Sequence, residues 1–275
     1  MKKIVVVILT VFISQFCRAQ FGYLKKADLE KFKDTRTVVV LFNDSSYNAS
    51  IKSAVEKYWN FTGTIFAYDT GLKQYNKPEF SFLVFSKGKG SKIKAKVCSS
   101  EQDFNGLQVL KKFKRRATKD ELVARAFCSN KIDTDNWAAE TIRGVQMLTN
   151  YFNYAVEAKG ELTPSNYPSD KSQMLNKKLL VPEKVLLMKG KEDAAAILDG
   201  EVEEVPREDI EKNIVNQDQS SMYYFYSFDE KDCNKLVLTS EKSELMYFTT
   251  DSPENCSCVA KDLKAMKSAK VKANK

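Results

Sequence analysis

Apolar and polar positions fall in blocks along this chain, and the spacing within each block names an element. Thr37-Val38-Val39-Val40-Leu41-Phe42 is a continuous apolar run, the pattern of a strand covered on both faces. Ile51, Ala54, Val55, Tyr58 and Trp59 then recur at i, i+3, i+4, i+7 and i+8, which places one buried stripe on a helix. Strands are predicted at Thr64–Tyr68 and Phe80–Phe85, with a short helix around Leu72 to Tyr75 between them. This β-α-β-α-β order predicts a parallel core with right-handed crossovers. Further strands are expected at Ile93–Val97 and Leu122–Cys128, either side of a polar region from Glu101 to Lys119. A long helix follows, with Ala138, Ile142, Val145, Leu148, Phe152 and Val156 on one face.

The pattern lapses between Lys159 and Glu183, where Pro164, Pro168 and Pro182 sit among polar residues, and 160–183 reads as a linker. The same order of elements then returns. Strands are predicted at Val185–Met188, Val202–Val205, Met222–Tyr226, Leu236–Leu238 and Leu245–Phe248, and helices at Glu192–Leu198, Arg207–Val215 and Val259–Lys267. The fold class expected is α/β: two similar halves, two-layer or three-layer, with mixed, mainly parallel sheets, at 20–159 and 184–270. A basic tail occupies 271–275. Matching element order in both halves points to an internal duplication.

The first residues follow a different pattern. Lys2 and Lys3 precede an apolar run from Ile4 to Ile13, and Cys17-Arg18-Ala19 comes before Gln20. That is the layout of a secretory signal peptide over 1–19, cut after Ala19. The run is too short to cross a bilayer, which takes about 20 residues. Phe16 ahead of Cys17 does not fit a lipoprotein signal, and no later segment is apolar enough to span. The expected address is therefore outside the cytoplasm, in the periplasm or at the cell surface.

Composition is that of an ordinary globular protein, 43% hydrophobic and 29% charged. Its formal charge of +8 drops by three when Lys2, Lys3 and Arg18 leave with the leader. The remaining surplus is spread over short runs (Lys111-Lys112 with Lys114-Arg115-Arg116, Lys177-Lys178 and the Lys264 to Lys275 tail), less dense than a nucleic-acid footprint, so nucleic acid is not an expected partner. Histidine is absent, which removes Ser-His-Asp and Cys-His nucleophiles and imidazole ligands for zinc or haem. Carboxylates and lysines remain available, but Glu201, Glu203, Glu204, Glu208 and Asp209 read as a solvated strand edge and helix start. Asp133-Thr134-Asp135-Asn136 lacks the sixth-position glycine and twelfth-position glutamate of a calcium loop and reads as a helix N-cap. Ser86-Lys87-Gly88-Lys89-Gly90-Ser91-Lys92 lies between two strand-like runs and reads as a hairpin tip, not a phosphate loop. No catalytic, metal or cofactor site is expected.

Five cysteines follow the leader, and an oxidising compartment favours pairing. The spacing suggests Cys98 with Cys128, and Cys233 with Cys256 or Cys258.

Asn48 to Trp59, the turn at Tyr68-Asp69 and the strand Phe80–Phe85 resemble exported α/β proteins of unknown function found in Bacteroidota, where the Lys2-Lys3 start and Ala19-Gln20 junction are also common. The resemblance implies export and no catalytic residue. Three functions fit. The leading one is a non-catalytic envelope protein that binds or scaffolds a protein or polymer partner through a strand edge or groove. The second is a periplasmic small-ligand binder, with a concave pocket lined by several of Tyr68, Asp69, Ser86, Tyr226 and Asp229. The third is a carboxylate- or thiol-dependent enzyme, with a buried Asp/Glu pair or Cys256 or Cys258 beside a cleft.

Overall fold

The computed structural model describes residues 26–88, 91, 93, 96–100, 104–118, 121–129, 137–158, 162, 167–188, 191–229 and 232–273. The leader assigned to 1–19, the cap at 133–136 and the last two residues of the tail lie outside the described residues. The first half contains α1 (Lys26–Lys33), β1 (Arg36–Leu41), α2 (Ser45–Tyr58), β2 (Gly63–Tyr68), a 3-10 segment (Asp69–Tyr75), β3 (Phe80–Lys87), β4 (Cys98–Ser100), β5 (Gly106–Leu110), β6 (Arg116–Ala117), β7 (Leu122–Phe127) and α3 (Trp137–Glu157). The second contains β8 (Lys178–Pro182), α4 (Lys191–Leu198), β9 (Val202–Val205), α5 (Arg207–Asn216), β10 (Ser221–Asp229), β11 (Asp232–Thr239), β12 (Leu245–Asp251) and α6 (Ala260–Ala273).

Both halves have one topology. The first sheet runs β2-β1-β3-β5-β7 and the second β9-β8-β10-β11-β12. In each, the first three strands in that order are parallel and the last two continue antiparallel. The sheets are mixed, as the sequence predicts, and the order of elements repeats.

Three local expectations are corrected. The strand that opens the second half is β8, inside the segment read as a linker, and not Val185–Met188, where Leu186 makes only an isolated bridge to Cys258. Lys178-Leu179-Leu180-Val181 is short and ends at Pro182, whose nitrogen faces the side on which β10 stops pairing at Leu180, so no ladder bond is lost there. The second correction is that Ile93, Lys96 and Val97 lie outside any strand; β4 begins at Cys98 and pairs in parallel with β3, so the chain does not return on β3 as the antiparallel hairpin expected around Ser86–Lys92. The third is that the region read as polar from 101 to 119 contributes β5 and β6.

β4 makes the first sheet fork. β3 pairs with β1 only as far as Leu83, while Ser86 pairs with Gly106 of β5 on one side and Cys98 of β4 on the other. β4 therefore takes the edge of β3 that β1 has left.

Packing follows strand parity. In the second sheet Leu180, Tyr223, Phe225, Leu236, Leu238 and Leu245 join the core of the first half, together with Ile210 and Ile214 of α5. Their neighbours Leu179, Val181, Met222, Tyr224, Val237 and Met246 face the other way, onto Ala194 and Leu198 of α4 and Leu263 and Met266 of α6. In the first sheet Phe85 meets Trp137 of α3 and Tyr47 of α2, at centroid distances of 4.9 Å to Trp137 and 6.2 Å to Tyr47. On the opposite parity Phe80 meets Tyr75 of the 3-10 segment. Thus α3 lies between the two sheets, and its burial on nearly every side reflects that position. Gly144 permits the close approach: a Cβ there would sit 2.7 Å from Leu107 Cδ1 on β5.

Polar side chains of α3 and its surroundings stitch the halves. Gln146 Nε2 donates to Glu241 O at 3.0 Å, Ser243 Oγ to Gln146 Oε1 at 2.8 Å, and Tyr154 Oη to Glu244 Oε1 at 2.8 Å. In the second half, fully buried Lys235 bridges Asp262 and Asp251 at 3.2 and 3.3 Å, fastening α6 to β11. No described helix is long and apolar enough to cross a membrane.

Candidate functional site

Where α3, α5 and the end of β10 meet, the two halves border an open-mouthed cavity of about 390 Å³. Pro182 at the end of β8, Ile210 and Ile214 of α5, and Tyr223 to Tyr226 and Phe228 of β10 supply its apolar wall. Ser129, Glu140, Arg143, Arg207 and Glu211 supply the polar one. The cavity lies toward the C-terminal ends of β8 and β10, the end of an α/β sheet at which ligands bind.

The polar wall is a chain of charges crossing the seam. Glu140 of α3, 1% exposed, accepts from Arg143, from the Ser129 backbone N–H at 2.9 Å and from Arg207 Nη2 at 3.0 Å. Arg207 also donates to Ser129 Oγ at 2.6 Å and through Nε to Glu211 at 2.7 Å, so one side chain of α5 ties both halves together. Burial alone would raise the Glu140 carboxyl, but Arg143 and Arg207 outweigh it and hold the group below its ordinary range, ionised. Burial also works against the Arg143 cation, and Glu140 more than compensates, raising its pKa. The Arg143 guanidinium stacks on Phe225, 4.0 Å from the ring centre. Glu211 is shifted the other way: burial raises its carboxyl despite Arg207. Burial pushes the Tyr223 hydroxyl up to about 12 against the pull of Arg143.

A second crevice, of about 530 Å³, opens where the first sheet forks, between Phe42 and Asn43 after β1, Asp69 and Thr70 after β2, and Lys96 to Ser99 at β4. Arg115 closes its side with an ion pair to Asp69 at 2.5 Å.

The residues expected to line one pocket are thus dispersed. Tyr226 lies in the cavity between the halves and Asp69 in the forked crevice. Tyr68 is 55% exposed, at the end of edge strand β2. Ser86 is buried and donates to Gln108 Oε1 at 3.2 Å. Asp229 ends β10, and its side chain lies outside the described residues. Glu140, Arg143, Arg207 and Glu211 were not singled out from the sequence as site residues. A signal was present: α3 carries three charges in 21 residues, and a helix that apolar all round is buried, which puts Glu140 and Arg143 inside.

Cys233 and Cys256 form a disulfide, and Cys98, Cys128 and Cys258 are buried free thiols. The expected Cys98–Cys128 bridge is not made. Cys98 on β4 and Phe127 on β7 are separated by β3 and β5, three strand spacings or about 14 Å, twice the reach of a disulfide. Burial pushes the Cys98 and Cys258 thiols up to about 12 and the Cys128 thiol further still, so none is an activated nucleophile. Among the described residues no group of three or more Cys, Asp or Glu side chains is placed to hold a metal ion. No protein-family model, curated protein or solved structure matches the chain.

Proposed function

We propose that the protein is an exported receptor for a small organic ligand, held in the cavity between its two halves. The observation that carries this reading is the cavity: about 390 Å³, walled by both halves, apolar on one side and charged on the other. Its size and its place at a domain seam are those of small-ligand sites. Export is supported by the leader pattern at 1–19 and by the Cys233–Cys256 disulfide, a bond that persists in oxidising compartments. A scaffold acting through a strand edge has less behind it. The large exposed apolar side chains Tyr68, Leu187 and Val215 are scattered over β2, the loop after β8 and α5. An acid–base enzyme would use Glu140 and Glu211, yet both Glu140 oxygens already accept hydrogen bonds from arginines.

Thermal melts of residues 20–275 against small amphipathic acids, amines and neutral amides test the reading. One chemical class is expected to raise the Tm by several degrees at saturation, since ligand at about 100 times its Kd adds about 2.7 kcal/mol. Ile210→Trp, which fills the cavity, is expected to abolish the shift. A wild-type protein indifferent to every class, or a variant that responds equally, would overturn it.

A further inference from the structure

Two hydrogen-bond donors in the cavity wall have nothing to donate to. They are Arg143 Nε and the Tyr223 hydroxyl. Both residues are buried, at 3% and 1% exposure. The other buried side chains with an unpartnered polar atom, Tyr58, Trp137, Thr149 and Asn234, do not line this cavity. A guanidinium nitrogen can only donate, so the group that satisfies Arg143 must be an acceptor. An unmet buried donor costs free energy, more when it is charged, and a ligand that offers an acceptor recovers it.

Charge narrows the acceptor. Arg207 on its own helix and Glu140 and Arg143 on α3 act on Glu211. Burial favours the protonated form of Glu211, and Glu140 adds to that preference. Arg143 is a cationic donor, so a carboxylate oxygen makes a stronger, charge-assisted hydrogen bond to its Nε than a neutral carbonyl does. Beyond it the wall is apolar: Ile210, Ile214, Phe225 and Phe228.

We propose that the ligand is an amphipathic monocarboxylate whose carboxylate accepts from Arg143 Nε and Tyr223 Oη while its aryl or short acyl body lies against Ile210, Ile214 and Phe228. This rests on the cavity being a ligand site.

Calorimetric titration of the mature protein with 4-phenylbutyrate and octanoate, each beside its amide, tests the proposal. At least one acid is expected to bind about tenfold or more tighter than its amide, as a charge-assisted hydrogen bond is worth against a neutral one. Tyr223→Phe is expected to weaken the acid about tenfold and its amide less, because the hydroxyl bonds a carboxylate more strongly than a neutral carbonyl. Amides that bind as well as the acids, an acid indifferent to Tyr223→Phe, or no binding by either acid would overturn the monocarboxylate. The cavity reading would survive those results if another class still shifts the Tm of the wild type and not of Ile210→Trp, and would fall with the proposal if none does.

Discussion

Glu140 shows how much one carboxylate holds at the seam. It takes donors from α3 itself, from Ser129 two residues beyond β7 and from α5, and is itself nearly closed to water. Removing one member of such a buried ionic group leaves the others unpaired, at about 3–5 kcal/mol. Urea denaturation of Glu140→Gln at neutral pH is expected to show a loss of that size. The pH dependence has a definite sign. The carboxyl lies below its ordinary value of 4.5 in the folded protein, so its stabilisation is complete above that value and is lost as pH falls toward the folded pKa. Wild-type stability should therefore drop below about pH 4.5 more steeply than that of Glu140→Gln. Glu211 has the opposite sign: its raised carboxyl favours the folded state at low pH, and that contribution disappears as pH rises through the folded pKa.

At the scale of elements, the disulfide is the clearest lever. It links the start of β11 to the segment after β12 across a sequence separation of 23. Closing a loop of that length stabilises by about 3 kcal/mol in the chain-entropy model. Reduction is expected to lower the urea midpoint accordingly, while Cys98, Cys128 and Cys258 stay silent toward a thiol reagent until the protein unfolds. Three fast-reacting thiols in the native protein would contradict the burial described. The elements themselves were unevenly legible. Those with a clean period, such as Val38–Leu41, the stripe of α2 and the long run of α3, stand out from side-chain spacing alone. β4 and β6 are three and two residues long and owe their strand form to pairing along the fork, which no local pattern records. Pro182 hides β8, and no local pattern distinguishes Arg207 and Glu211, which face the first half, from the solvated Glu208 and Asp209 beside them.

The molecule as a whole should melt as one body. Leu180, Tyr223, Phe225, Leu236 and Leu238 of the second sheet belong to the core of the first half, so neither half has a complete core alone. A calorimetric scan is expected to give a single transition, with equal calorimetric and van't Hoff enthalpies. Two resolved transitions would mean that the seam contributes little. The repeated element order could be read from the sequence at this scale, but the way the halves stack could not. The cavity, whose walls run from Ser129 in one half to Phe228 in the other, is equally out of reach of local patterns.

That stacking joins unlike faces. The helical side of the first half, α2 and α3, meets the crossover side of the second, marked by α5, while the helical side of the second half, α4 and α6, turns outward. Contacts of this head-to-tail kind have no built-in end, unlike a two-fold pairing that uses up both surfaces. A third unit of the same topology would find, on α4 and α6, the counterpart of the face already used once. What differs is the finish of that face: α3 is buried nearly all round, whereas α6 presents Lys261 and Lys264 to solvent. Such a polar outer surface is how stacked repeats are terminated. Lys261 and Lys264 give the outer face of α6 that polar finish, on a topology that itself has no built-in end.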